Sequence, residues 1–224
     1  MRLLEECGLN KEQIAKFDKY TDLLLQWNEK FNLTAITNRL EIEEKHYFDS
    51  IQLYEYFGGA NKTLLDVGSG AGFPGIPLAI IEPTMKVTLL EANGKRVAFL
   101  KEVVNKLDLA NVEIIQGRAE ELKTREKYDI VTARAVKELN ILLEISFHLV
   151  KLGGQFIAFK GPGAKEELEA AKNARNVLGC GPSINIEYDL PFSQISRFLL
   201  RISKIKPTPM KYPRTYGEIV KHPL

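Results

Sequence analysis

Asp66, Gly68, Gly70, Gly72, Gly75 and Glu91 are the residues of this 224-residue chain whose types and spacing could do chemistry. The apolar run Leu64-Leu65-Asp66-Val67 ends in an acid, and the glycine-dense turn Gly68-Ser69-Gly70-Ala71-Gly72-Phe73 leads from it into Pro74. Glycines in such a strand–loop–helix unit let the backbone approach a ligand where a Cβ would collide. Gly70, Gly72 and Gly75 fit the dinucleotide pattern G-x-G-x-x-G, a weak match by itself. Asp66 separates two readings. A pyrophosphate wants bare N–H groups and a positive helix end, so a carboxylate at the strand end repels it. S-adenosylmethionine carries a sulfonium and an amino group and no phosphate, so the same acid is favourable. Glu91 lies 23 residues after Gly68, at the end of Lys86-Val87-Thr88-Leu89-Leu90-Glu91. A carboxylate there can accept both ribose hydroxyls, which supports a nucleoside without choosing between the cofactors.

These residues need a sheet to hold them. From Thr63 the sequence alternates strand and helix, with strands near 63–67, 86–91, 112–116, 128–133 and 154–160. Helices are expected near 74–82, 94–108, 118–123, 138–150 and 164–178. Such alternation predicts a parallel sheet with right-handed crossovers. Two extended runs, Ile184–Leu190 and Ile195–Lys206, are joined only by the turn Pro191-Phe192-Ser193-Gln194, which predicts an antiparallel hairpin. The fold class expected is therefore α/β: a Rossmann-like, class I S-adenosylmethionine-dependent methyltransferase sheet, seven-stranded, mostly parallel and ending in that hairpin. A six-stranded dehydrogenase sheet lacks it. Ahead of the sheet, Ile14, Phe17, Leu24, Trp27 and Phe31 recur near helical spacing, and a second helix is expected from about Leu40 to Phe57. Residues 1–60 read as a helical extension, 61–206 as the cofactor-binding domain and 207–224 as a basic C-terminal tail.

Composition bounds the function classes. Hydrophobic content of 45% and charged content of 27% suit a globular chain. No apolar run approaches the ~20 residues of a membrane span, and the first residues lack an apolar leader core. Cys7 and Cys180 make neither a disulfide framework nor a metal spacing, and His46, His148 and His222 are scattered. The expectations are a cytoplasmic monomer with no membrane and no metal. Residues 195–224 carry seven Lys or Arg against Glu218 alone, a basic end suited to a phosphate backbone.

Several stretches together resemble one family, the bacterial 16S ribosomal RNA guanine-N7 methyltransferase G, or glucose-inhibited division protein B, family. They are Phe31-Asn32-Leu33-Thr34, His46-Tyr47-Phe48-Asp49-Ser50, the glycine loop through Pro77, Gly94-Lys95-Arg96, Arg118-Ala119-Glu120-Glu121, Ala133-Arg134-Ala135, Lys160-Gly161 and Tyr212-Pro213-Arg214. Thr215 stands where the family often has a further basic residue. The resemblance implies a methyl donor held by Gly68, Phe73, Ala119, Glu120 and Arg134, with Arg134 also facing the transfer cleft. Asp66, Gly70 and Glu91 join them from the reading of the loop. It also implies 16S rRNA of the small ribosomal subunit as partner, and Lys95, Arg96, Lys160, Arg197, Arg201 and Arg214 are the candidate RNA contacts.

The chemistry is consistent with this. Guanine N7 is an sp2 lone pair with no proton at neutral pH, so it needs no general base. No obvious His/Asp pair and no Asn-Pro-Pro-Tyr motif is present. Rate enhancement is then expected from positioning and preorganised electrostatics. Arg134 is the expected catalytic residue, fixing guanine O6 or a neighbouring phosphate; its alternative is a structural ion pair. His46 and Asp49, three apart on one helix face, are expected to bond each other or cap. Trp27 and Phe31 are expected to pack in the core. Three other functions remain open: a methyltransferase acting at another RNA site, an NAD(P)-dependent oxidoreductase, and a non-catalytic RNA-binding or assembly protein.

Overall fold

The computed structural model spans residues 1–224 and describes all of them except 135 and 136. Seven strands form one sheet: β1 (Thr63–Val67), β2 (Lys86–Glu91), β3 (Val112–Gln116), β4 (Tyr128–Arg134), β5 (Val150–Lys160), β6 (Cys180–Asp189) and β7 (Ser196–Lys204). Their order is β3-β2-β1-β4-β5-β7-β6. The first five are parallel, and β7 runs antiparallel to both β5 and β6, as the terminal hairpin predicted. Strand order reverses between β1 and β4, which opens a crevice at the carboxyl ends of these strands. The hairpin turn reaches the same end, because Phe198 at the start of β7 pairs with Lys160 at the end of β5.

The central strands are apolar on both faces, as a covered parallel sheet requires. Leu64, Leu89, Ile130 and Ile157 point to one core, and Leu65, Leu90, Val131 and Phe156 point to the other. The first core is completed by the N-terminal helices α1 (Arg2–Glu6) and α2 (Lys11–Phe31), which supply Leu4, Phe17, Tyr20 and Leu24. A fully buried side chain of this size contributes ~1.5–3 kcal/mol, so the helical extension and the sheet share the energetics of one core. α2 starts at a reciprocal capping box between Asn10 and Gln13 and ends at Asn32 in the left-handed region, φ 46°.

The second expected helix is a continuous coil of three segments. α3 (Arg39–Ile42) widens into a π turn, Glu43–Phe48, before α4 (Asp49–Phe57). Single π turns inside helices are frequent at functional sites. Beyond the glycine loop come α5 (Gly75–Ile81), α6 (Gly94–Lys106) and α7 (Leu139–Ser146). The expected helix over 118–123 is only a 3-10 turn, Ala119–Glu121, since so short a segment cannot offset the cost of helix nucleation. The expected helix over 164–178 breaks into α8 (Ala164–Ala170) and α9 (Lys172–Leu178). At the break the chain turns to bury Ala171 and Ala174 in the second core. β5 begins at Val150, not 154, because Gly153 (φ 78°) lies within the strand where its pairing with β4 shifts register, and does not form a turn.

Residues 207–224 fold back onto the sheet. Thr208, Tyr212 and Ile219 are buried, and α10 (Tyr216–Lys221) packs on α7. Arg125 fastens this segment by donating to the carbonyls of Tyr212 and Thr208, both at 2.8 Å.

Candidate active site

The glycine loop is held from below, behind and across. Asp66 is fully buried beneath it, and its Oδ2 accepts the Gly75 N–H at 3.0 Å. Burial pushes the Asp66 carboxyl up to about 7, against that hydrogen bond and the Arg134 charge, which favour the anion. Asp66 therefore anchors the start of α5 and does not line the cavity beside the loop, while its Oδ1 is buried without a hydrogen-bond partner among the described residues. Gly72 has φ 98°, and a Cβ there would meet Ile76 at 2.5 Å and the Tyr20 hydroxyl at 2.6 Å. That hydroxyl donates to the Ala71 carbonyl, so α2 braces the loop. Glu91 reaches across from β2: its Oε2 accepts from Gly70 N at 2.9 Å and its Oε1 from Asn93 N at 2.8 Å. Each carboxylate oxygen keeps a lone pair for a further donor.

Beside this loop lies a cavity of about 180 Å3, lined by Gly68, Glu91, Ala119, Glu120 and Tyr216 among others. Four of the sequence candidates thus converge there. Gly70 is bonded to Glu91 and does not line it. Phe73 faces the other way, in an aromatic cluster with Tyr20, Tyr47 and His46. Tyr216, an aromatic of the basic end expected to meet RNA, lines this cavity instead; the Arg118 guanidinium sits over its ring at 5.3 Å. Its helix carries a legible signal, the Thr215-x-x-Glu218 capping box.

A second cavity, about 630 Å3, opens at the carboxyl ends of β4 and β5. Lys45, His46, Asp49, Arg134, Lys160 and Arg197 line it, and Lys137 borders both cavities. Arg134 lies over the Phe73 ring at 4.9 Å and donates to Asp49 Oδ2 at 3.1 Å. The ion-pair alternative is thus present, with its acid on the N-terminal segment. Both cavities sit where a parallel sheet places its ligands.

The other candidates divide. Lys95 and Arg96 are exposed at the start of α6, whose N–H groups Asn93 caps; Arg96 is 3.9 Å from Glu91. Arg197 lines the larger cavity, 3.6 Å from Asp49. Lys160 differs from its expected role: its ammonium is bonded to Glu167 at 2.6 Å and to the Lys137 carbonyl. Arg201 lies lower on β7, opposite Ile157 and over the Phe57 ring, away from both cavities. Arg214 forks onto the buried Glu144 with two bonds of 2.6 Å, which makes it a clasp for the C-terminal segment and not a free phosphate contact. Trp27 packs on Phe99 and donates to Glu102, whereas Phe31 is 37% exposed beneath Lys95. Ala135 lies outside the described residues.

The sequence model of the family described as rRNA small subunit methyltransferase G matches residues 13–185. The chain belongs to that family. A protein named ribosomal RNA small subunit methyltransferase G from Acetivibrio thermocellus is 48% identical over 221 residues, covering 97% of this chain and 91% of its own. One of the same name from Bacillus cereus is 45% identical, covering 99% and 96%. Solved structures share the fold. A Methanococcus maripaludis protein described as a putative S-adenosylmethionine-dependent methyltransferase gives a TM-score of 0.58 at 18% identity, covering 74% of this chain and 90% of its own. The M. jannaschii protein TYW2, solved in complex with AdoMet, gives 0.56 at 16%, covering 70% and 74%.

Members of the methyltransferase G family are enzymes that use S-adenosylmethionine, and the smaller cavity suits its nucleoside. Glu120 Oε1 is buried and has no hydrogen-bond partner among the described residues, although Arg118 lies 3.9 Å away. A buried acceptor left open in a cavity wall calls for a donor, such as an adenine amino group.

Proposed function

We propose that this methyltransferase transfers a methyl group from S-adenosylmethionine to N7 of one guanosine in 16S rRNA of the small ribosomal subunit. The observation that carries the reading is the pair of adjoining cavities, one built for a nucleoside and one lined by cations, with Lys137 on the border of both. Gly68, Glu91, Ala119 and Glu120 would hold the cofactor, and the cofactor supplies an electrophilic methyl on a sulfonium. Arg134 orients the base, and Lys95, Arg96, Lys45 and Arg197 supply positive charge for the RNA backbone. N7 carries no proton at neutral pH and needs no base, and of the groups lining the larger cavity two carboxylates and the imidazole are already engaged, whereas Glu138 is exposed. Asp49 is paired with Arg134, Glu167 with Lys160, and His46 faces Arg134. Catalysis then rests on alignment in a desolvated site. An rRNA substrate supports a cytoplasmic location.

The test is transfer of labelled methyl from S-adenosylmethionine to small subunits and to their deproteinised rRNA, mapped by chemical cleavage at 7-methylguanosine. Label at one guanosine is the expected result. Cofactor binding without label on either RNA would overturn the substrate.

A further inference from the structure

We propose that His46 and Asp49 are positioning residues of the methyl-transfer site, holding the Arg134 guanidinium at the end of β4 in the orientation that aligns the guanine. The proposal rests on the guanosine reading above and gives the N-terminal helices a part in it. His46 and Asp49 do not bond each other; both converge on Arg134. Nη1 donates to Asp49 Oδ2 at 3.1 Å and to the Lys45 carbonyl at 3.3 Å, and Nη2 to His46 Nδ1 at 3.3 Å. All these partners lie on or directly after the π turn.

The network assigns the imidazole tautomer. A guanidinium has donors only, so Nδ1 accepts and carries no hydrogen. Nε2 then bears the hydrogen and donates to Thr34 Oγ1 at 2.9 Å. The ring is stacked on Phe73, with centroids 4.4 Å apart and planes 19° apart, so it cannot swing away. Burial, and then the charge of Arg134, hold its pKa down to about 3, which keeps it a neutral acceptor. Asp49 is fixed on its far side by the Tyr188 hydroxyl at 2.8 Å and by Arg197. Three of the five guanidinium N–H groups are thereby engaged, which leaves two for a ligand in the cavity that Arg134 lines.

The experiment compares His46→Gln with His46→Asn. Glutamine keeps a donor where Nε2 stood and removes the acceptor facing Arg134; asparagine keeps an acceptor near Nδ1. Both are assayed for kcat and KM on small subunits and for affinity for S-adenosylhomocysteine by calorimetry. His46→Gln should lower kcat on the order of 10- to 100-fold with nearly unchanged S-adenosylhomocysteine affinity, and His46→Asn should restore part of the loss. A His46→Gln kcat close to wild type, or no rescue by asparagine, overturns the proposal. Should neither variant fold, the ring 15N shifts of His46 in the wild-type protein decide. A bare Nδ1 with a protonated Nε2 at neutral pH is expected, and the opposite tautomer or a charged ring overturns it. A wild-type protein inactive on all rRNA would instead overturn the guanosine reading, while the ring shifts still test the Arg134 contact.

Discussion

Two buried groups at opposite ends of the sheet make stability respond to pH in opposite senses. His148, just before β5, is 1% exposed, and burial followed by the charges of Arg125 and Lys204 lowers its pKa to about 4. An unfolded histidine titrates near ~6.5, so between those values the unfolded chain binds more protons than the folded one. Stability is therefore complete above the unfolded value and is lost as pH falls toward 4. His46, lowered to about 3, acts in the same direction. Asp66 opposes them: raised to about 7 against ~3.9 unfolded, it holds a proton in the fold that the unfolded chain has released. Its contribution is present below the unfolded value and is lost as pH rises through 7. Melting temperature measured from pH 7 to 4 should fall. His148→Leu should flatten that fall by removing a term of roughly 3 kcal/mol at ~1.4 kcal/mol per unit. Asp66→Asn should steepen it. A His148→Leu slope parallel to wild type would refute the assignment.

At the scale of elements, the glycine loop is the most tightly specified piece. Gly68 has φ 69°, a conformation that L side chains avoid, and it lies on the cofactor cavity with Glu91. Gly68→Asp should abolish S-adenosylhomocysteine binding through strain, bulk and a second negative charge, as read by calorimetry. Gly72→Ala should destabilise the fold by ~1–3 kcal/mol, because the new Cβ meets Tyr20 and Ile76; urea denaturation measures it. This element was legible in the sequence because glycines and strand-end acids act locally. The parallel strands were legible for a related reason, since a strand buried on both faces is a plain apolar run. What stayed hidden depends on partners distant in the chain. The π turn and the convergence of His46 and Asp49 on Arg134, 88 and 85 positions later, leave no periodicity. Arg214 was legible as a basic residue, but its pairing with Glu144, 70 positions earlier, was not. The start of β5 ahead of Gly153 was not legible, because a glycine marks a bulge and a turn alike.

Over the whole molecule, the C-terminal segment works as part of the pocket and not as an appendage. Tyr216 lines the cofactor cavity, and Arg214 fastens the segment to a Glu144 that is wholly buried. Arg214→Ala leaves that buried carboxylate without its partner, a loss of ~1–3 kcal/mol for an unsatisfied buried acceptor. The variant should melt earlier and bind S-adenosylhomocysteine more weakly, whereas an unchanged affinity would show that Tyr216 is dispensable. The cleft is closed on its other side by a contact of greater reach. Glu44 accepts the backbone N–H groups of Phe192 and Ser193, and Asp49 accepts the Tyr188 hydroxyl, across separations of 148, 149 and 139 residues. Such pairings are formed only after a large entropic cost of loop closure. During synthesis on the ribosome Glu44 of the π turn emerges without these partners, and must wait for 148 further residues before the hairpin turn that engages it exists. A nascent chain paused after β5 would thus already hold its central strands while lacking one wall of the cleft, so competence to select a base arrives with the last strands made.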